Sequence, residues 1–329
     1  MKAVIVHGAG DVRVDDVPDP VPGPGEVLLA VEWGGICGSD LAYWRHGASG
    51  TATLRHPLVL GHEVAGRVDG RPVTVHPAQV VGDEPLPERL AGRTNLHRQV
   101  RYFGSAAFDP HTDGGFCEYK VVPAGQVRAL PDGVGTREGA LAEPLAVALH
   151  AVHRAGDLRG REVLVNGAGP IGALVVAAAK HRGARTVVAA DIASVPLDIA
   201  RAMGADEVRD LGAGDRLPDD IEIVFEASGV PAALGGVLRA TARGGTLVQV
   251  GNLPGRPAPA ELGDLVTREI TWTGSYRFAG ELDDALVALG DGLDVTPLIT
   301  HTFGLDRATE ALAAAAGGAG KVLLRIGER

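Results

Sequence analysis

A chain of 329 residues is about twice the length of a typical domain, so one large or two ordinary domains are expected. With 45% hydrophobic and 22% charged residues it has ample apolar side chain for buried cores, which excludes a disordered chain. The formal net charge of −10 argues against nucleic acid as a partner, because phosphate binding needs a basic face, and two cysteines, Cys37 and Cys117, are too few for a disulfide framework.

The first residues, MKAVIVHGAGDVRV, lack a basic region followed by an apolar run, so a cytoplasmic protein is expected. No membrane association is expected either. The longest apolar stretch, 171–180, falls short of the roughly 20 residues that span a bilayer and is closed by Lys180, His181 and Arg182. Up to about residue 131 the chain reads as short strands (3–6, 26–32, 73–75, 116–122) broken by Gly and Pro, which predicts a β-rich domain. From 162 the rhythm changes to strand 162–166, helix 171–182, strand 186–191, helix 195–203, strand 221–225, helix 232–241, and strands 246–250 and 270–273. Strands alternating with helices predict a doubly wound parallel sheet of the α/β class. After Tyr276 a helix, strand, helix, strand pattern ends at 321–326, whose last strand is expected to return to the first domain.

The segment VNGAGPIG (165–172) follows a predicted strand and opens a predicted helix. Gly167 suits the tight turn, Gly169 lets backbone approach a pyrophosphate, and Gly172 lets helix pack on strand, the arrangement of a dinucleotide site. Asp191 closes the next strand, where a carboxylate accepts from the adenosine ribose hydroxyls and repels a 2′-phosphate. No Arg or Lys follows until Arg201, so NAD is favoured over NADP.

A second constellation comes from GICGSD (Cys37, Ser39, Asp40), GHEVAG (His62, Glu63) and AEPLA (Glu143). One thiolate, one imidazole and carboxylates arriving from separate loops suit the borderline softness of zinc, with three protein ligands leaving a fourth position open for catalysis. Cys117 sits in a strand-like run, GGFCEYKVV, and reads as a small buried hydrophobe.

GGICGSDLAYWRHG, HPLVLGHEVAGRV, VRYFGSAAFDPHTDGGFCEYKVV, GALAEPLAVALHAVHRAG, VLVNGAGPIG, FEASGVPAAL and TGSYRF together resemble the zinc-dependent medium-chain dehydrogenase/reductase superfamily, that of the alcohol dehydrogenases, in its sorbitol and L-idonate 5-dehydrogenase branch, over essentially the whole chain. The resemblance implies a GroES-like catalytic domain beginning in 1–147, a Rossmann NAD-binding domain over 148–277, and a C-terminal segment, 278–329, that completes the catalytic domain. It implies one catalytic zinc on Cys37, His62 and either Glu63 or Glu143, the remaining carboxylate bonding a zinc-bound water; the residues do not choose between the two. Asp40 is then expected to orient His62, and Ser39 to bond the reacting hydroxyl and pass on its proton. Tyr43, Phe103 and Arg277 are expected to line the pocket, with Tyr43, Glu143 and Arg277 bonding substrate. Gly167, Gly169, Pro170, Ile171, Gly172 and Asp191 would hold the cofactor, and Ser228, Val250, Gly251 and Ser275 would flank its nicotinamide. The strand 270–273, as a sheet edge, implies a homodimer or homotetramer.

Two departures from the family pattern stand out. The lobe that carries four cysteines in relatives reads VVGDEPLPERLAGRTNLH (80–97), with no cysteine, so no structural zinc is expected; Asp83, Glu84 and His97 are a poor substitute. Ala42 stands where the family usually has a His that delivers the proton to solvent, leaving water, the cofactor ribose or His46 as the exit. The expected reaction is hydride transfer between NAD and a secondary alcohol of a polyol, sugar acid or cyclitol. An amino sugar or aminocyclitol is the alternative substrate. A non-catalytic NAD-binding protein is a third reading, opposed by the intact Cys37, His62, Glu63 and Glu143.

Overall fold

In the computed structural model, which describes residues 1–318 and 320–327, two sheets of opposite character divide the chain. The first has seven strands. Val127–Ala129, Arg71–Val75, Glu63–Val68, Glu26–Gly35, Lys321–Arg325 and Ile299–Gly304 lie in that spatial order, and Tyr119–Pro123 also pairs with Glu26–Gly35. All pairs are antiparallel except Ile299–Gly304 with Lys321–Arg325. The register Leu323↔Gly35 brings the last strand back to the first domain, as the sequence predicts. Glu63–Val68 and Arg71–Val75 are joined by Asp69 and Gly70 alone, both with positive φ (49° and 77°), a two-residue turn whose twist matches a hairpin.

The second sheet is wholly parallel, in the order Glu207–Asp210, Thr186–Asp191, Glu162–Asn166, Ile221–Glu226, Thr241–Gln249, Thr271–Gly274. Its inner strands Thr186–Asp191, Glu162–Asn166 and Ile221–Glu226 are largely apolar because both faces are covered. Val163, Val165, Val187, Ala189, Ile223 and Phe225 point to one core, and Leu164, Val188, Ala190, Val224 and Leu247 to the other, the period of two expected of strands. The α/β class and the Rossmann architecture therefore stand as predicted.

Several elements differ in extent. The helix expected over 232–241 covers only Leu234–Ala240, because Thr241 already begins the long strand Thr241–Gln249. The strand expected from 116 starts at Tyr119; Cys117 instead bridges Ala3, pinning the N-terminal strand Lys2–Gly8. The helices Gly38–His46 and Ala142–Ala155 and the edge strand Glu207–Asp210 were not anticipated. Ala142–Ala155 runs across the expected division at 147/148, and its Leu145, Leu149 and Val152 join the Rossmann core. Helix Glu281–Gly290 packs on that same core through Leu282, Ala285 and Leu289, so only the later part of the C-terminal segment returns to the first sheet. Among the described residues no helix is long and apolar enough to cross a membrane.

Candidate active site

The strand Glu26–Gly35 runs into Ile36 and Cys37, and Cys37 is the N-cap of helix Gly38–His46. Register places Gly35 opposite Glu63, the first residue of its strand, with His62 just before it. The Sγ of Cys37, a ring nitrogen of His62 and a carboxylate oxygen of Glu63 thereby lie within 4.8 Å of one another. Gly35 makes room for this: a Cβ there would stand 2.1 Å from Glu63 Oε2. Asp40 does not bond the His62 ring as expected. Its oxygens accept the backbone N–H of Cys37 (2.9 Å) and of Gly61 (3.1 Å), so it ties the two ligand-bearing segments together and acts on His62 only through its charge.

Lys321, which the sequence reading missed, enters from the C-terminal strand. Its Nζ donates to Glu63 Oε1 at 2.7 Å and to the Ile36 carbonyl at 3.2 Å, with 3% of the side chain exposed. The other oxygen, Glu63 Oε2, is buried without a partner. The His62 imidazole is pushed up to about 10: burial disfavours its charge, but Cys37, Glu143 and Asp40 outweigh burial. A thiol, an imidazole and an unpartnered carboxylate oxygen, set among anionic groups, fit the donor chemistry of zinc. Glu143 lies outside this trio. Of the two carboxylates left open by the sequence, Glu63 is the one the fold brings to Cys37 and His62.

Glu143 sits in the first turn of Ala142–Ala155, 5% exposed, and accepts the Tyr102 hydroxyl at 2.5 Å. Burial raises its pKa, with Glu63 adding to the effect. Tyr102, also missed by the sequence reading, meets the His62 ring edge-on at 5.6 Å and lies under the Arg277 guanidinium at 3.9 Å. Tyr43 is 2% exposed in the core of the first domain, where its hydroxyl accepts the Ala106 N–H at 2.9 Å. Phe103 is likewise a core residue, covered by the Lys120 ammonium. Ser39 is half-buried in the first turn of its helix, whereas His46 is exposed in the last turn.

At the second site, Gly167 has φ 91°, and a Cβ there would lie 2.5 Å from Ser228 N; one at Gly172 would lie 1.8 Å from the Gly167 carbonyl oxygen. Nothing lies within 4 Å of a Cβ at Gly169, the residue that caps helix Pro170–His181, so the cradle is open where a pyrophosphate would approach. Asp191 Oδ2 accepts the Ala168 N–H at 2.7 Å and Oδ1 the Ala193 N–H at 3.0 Å, fixing the carboxylate at the strand end. The crevice lies where the sheet order reverses, between Glu162–Asn166 and Ile221–Glu226. Its floor is gathered by Glu226, fully buried and unremarked in the sequence. Its carboxylate accepts from Asn166, Ser228, Gly229 and Gln249, and its carbonyl from Val250 and Gly251. Ser275 follows the next strand, its N–H on the Gln249 carbonyl and its hydroxyl buried without a partner. Contacts of Gly167 with Ser228, of Asp191 with Ala168 and of Val250 and Gly251 with Glu226 thus gather these segments at one end of the sheet.

The lobe 80–97 holds no ligand cluster. His97 accepts the Gln99 N–H and donates to the Glu84 carbonyl, and among the described residues Cys37, His62 and Glu63 form the only group of three or more metal-type side chains.

This pairing of an antiparallel domain carrying a Cys, His, Glu cluster with a parallel dinucleotide-type domain defines a medium-chain zinc dehydrogenase. Residues 23–132 match the alcohol dehydrogenase GroES-like domain and residues 170–290 the zinc-binding dehydrogenase family. Sorbitol dehydrogenase of Bos taurus is 37% identical over 98% of this chain and 95% of its own length. L-idonate 5-dehydrogenase (NAD(P)(+)) of Escherichia coli is 36% identical over 87% of each, and the crystal structure of the E. coli L-idonate enzyme superposes with a TM-score of 0.90, covering 98% of this chain and 97% of that one. A zinc-binding dehydrogenase from Sinorhizobium meliloti, solved bound to NADP, superposes at 0.88 with 32% identity, covering 98% of each chain. The chain belongs to the zinc-dependent alcohol and polyol dehydrogenase family, in its sorbitol and L-idonate dehydrogenase branch.

Proposed function

We propose that this protein interconverts a secondary alcohol of a polyol or sugar acid and the corresponding ketone, with one catalytic zinc and with NAD as the hydride carrier. The observation that carries this reading is the convergence of Cys37, His62 and Glu63 within 4.8 Å, with Glu63 Oε2 buried and unpartnered. Cys37, His62 and Glu63 would hold zinc, which would acidify the substrate hydroxyl so that its proton can leave near neutral pH; the electron-rich oxygen left behind then drives hydride from the adjacent carbon to nicotinamide. Ser39, half-buried beside Asp40, would accept the proton from the substrate hydroxyl while passing its own on toward cofactor ribose and water. Glu143, with one oxygen held by Tyr102, would accept a neighbouring substrate hydroxyl through the other. Arg277 has no carboxylate partner among the described residues, which favours a substrate that brings its own, a sugar acid. Ser228, Val250, Gly251 and Ser275 would position the nicotinamide, and the open Gly169 cradle its pyrophosphate.

The test combines metal analysis with NAD reduction over a panel of polyols, sugar acids and aminocyclitols. One zinc per chain and turnover of a sugar acid or polyol are expected. Two zincs, none, or turnover of aminocyclitols alone would overturn the reading.

A further inference from the structure

Tyr102 touches three members of the polar pocket, Glu143, His62 and Arg277. It ends strand Val100–Tyr102, is 6% exposed, and gives its hydroxyl to Glu143 Oε1 at 2.5 Å. Its ring stands edge-on to His62 and beneath the Arg277 guanidinium, 3.9 Å from ring centre to the guanidinium carbon. Arg277 itself has φ 51°, a left-handed conformation that a non-glycine residue adopts only when held. The preceding carbonyl, of Tyr276, accepts the Asn95 side-chain amide at 2.7 Å, so the peptide that sets this conformation is anchored from the cysteine-free lobe.

A buried carboxylate and an unpaired guanidinium in one pocket attract each other strongly where water is scarce. Direct pairing of Glu143 with Arg277 would neutralise both and leave nothing for a charged substrate. Tyr102 stands against that collapse at both ends. Its hydroxyl occupies a Glu143 oxygen, and its π face gives the guanidinium a resting place that uses none of its N–H donors. The N–H fork is left free for a planar, bidentate anion such as a carboxylate.

We propose that Tyr102 is a positioning residue that keeps Arg277 available for the carboxylate of a sugar acid, and so sets the preference for acidic over neutral polyol substrates. This rests on the polyol or sugar-acid reading above. It separates two contributions of one side chain. The ring sets the charge preference, and the hydroxyl fixes Glu143, which serves both substrate types equally.

The test uses the zinc-loaded enzyme with NAD, and L-idonate and sorbitol as probes, for the wild type, Tyr102→Phe, Tyr102→Leu and Arg277→Ala. The wild type should prefer L-idonate in kcat/KM. Tyr102→Leu should lower that preference roughly 10-fold, the size of a desolvated cation–π contact, chiefly through KM for L-idonate. Tyr102→Phe should restore the preference to within about 3-fold of wild type, since an intact ring supplies most of that contact, while lowering kcat on both probes. A merely structural role would lower both probes alike in Tyr102→Leu and show no rescue of the ratio by Phe. That result overturns the proposal, as does a ratio unchanged in Tyr102→Leu but lost in Arg277→Ala. A preference lost in Tyr102→Phe, or a wild type that favours sorbitol, also overturns it, even though turnover would leave the functional reading standing. If the wild type oxidises neither probe, it is the functional reading that fails. Calorimetric binding of L-idonate to the enzyme–NADH complex then decides the proposal: a Kd weakened by Leu and restored by Phe supports it, and no binding or an unchanged Kd overturns it.

Discussion

Lys321 Nζ lies 2.7 Å from Glu63 Oε1, and the two side chains keep only 3% and 1% of their exposure. The pair joins the last strand of the chain to the start of Glu63–Val68, so the C-terminal segment completes the metal site with a charge as well as completing the sheet. Removing one partner of a buried ion pair leaves an uncompensated charge and typically costs about 3–5 kcal/mol. Lys321→Met should therefore destabilise the metal-stripped protein by about that amount in urea unfolding. Zinc on Cys37, His62 and Glu63 brings a replacement positive charge, so the penalty should shrink in the zinc-loaded protein. Equal penalties in the two forms would show that Glu63 does not face the metal.

The two thiols should behave differently. Burial pushes the Cys117 thiol up to about 11, and its Sγ is engaged with the Tyr119 carbonyl at 3.2 Å. At pH 8 such a thiol is roughly one part in a thousand thiolate and unreactive. Cys37, half-buried at a helix N-cap, remains reachable. A chelator-treated sample should release one equivalent of thionitrobenzoate rapidly with a disulfide reagent. Added zinc should suppress that reaction, and the second equivalent should appear only on unfolding. Two fast equivalents, or no protection by zinc, would contradict the assignment.

Cofactor preference should follow Asp191. Its carboxylate is fixed by the N–H groups of Ala168 and Ala193, and the next residues, Ile192 and Ala193, offer no cation for a 2′-phosphate. Asp191→Ser should raise the kcat/KM ratio of NADP to NAD by at least roughly 10-fold by removing the repulsion. A wild type that prefers NADP would refute the role given to Asp191.

What the sequence made legible is what is carried by neighbouring residues. The glycine turn at Gly167 to Gly172, the run of alternating strands and helices, and the ligand types at Cys37, His62 and Glu63 all follow from short-range pattern, and all converge in the structure. Lys321 was invisible because its significance is a contact across 258 positions with Glu63, and an isolated Lys in a strand carries no signal. Tyr102 and Glu226 were overlooked for the same reason: an aromatic at a strand end and an acid in FEASG acquire meaning only from Arg277, Glu143 and Gln249 arriving from elsewhere. The helix Ala142–Ala155 is masked by its own chemistry, because AEPLA draws notice to Glu143 while the stripe of Leu145, Leu149 and Val152 that buries the helix begins only there.

That helix also carries a pH-sensitive contact. His150 Nδ1 (2.9 Å) and His153 Nδ1 (3.1 Å) both lie on Glu281 Oε1, while the Ala279 N–H donates to Oε2 at 2.7 Å. Burial by itself would raise the Glu281 carboxyl, but these hydrogen bonds outweigh it and hold the group far below the usual carboxylate range. The folded state then binds fewer protons than the unfolded state, whose carboxyl titrates at about 4.3. Stability from this group is complete above that pH and is lost as pH falls toward the depressed folded value. Denaturant titrations should show wild-type stability declining below about pH 4.3, with Glu281→Gln less stable at pH 7 and shallower in that acid range. Parallel pH profiles for the two proteins would remove Glu281 from the account.

The last prediction concerns the proton that leaves Ser39. Ala42 follows Ser39 by three positions on helix Gly38–His46, so a side chain there would neighbour the serine. His46 lies in the last turn, exposed and about 10 Å farther along the helix axis at 1.5 Å per residue. That distance argues against His46 as the relay and for an exit through cofactor ribose and water. General acid–base groups in reach contribute about 10²- to 10⁴-fold, so even a partial effect is measurable. His46→Ala should change alcohol oxidation less than about twofold, because a residue out of reach contributes none of that factor. Ala42→His should raise the oxidation rate between about pH 6.5 and 8, where a neutral imidazole accepts a proton more readily than water does, with the gain fading at higher pH. Measured kcat profiles for the two variants separate the routes. A large loss in His46→Ala with no gain in Ala42→His would make His46 the relay after all and require the helix to move during turnover. No change in either variant, with ketone reduction faster than oxidation, would place the limiting step elsewhere and identify the enzyme as one that works mainly as a reductase.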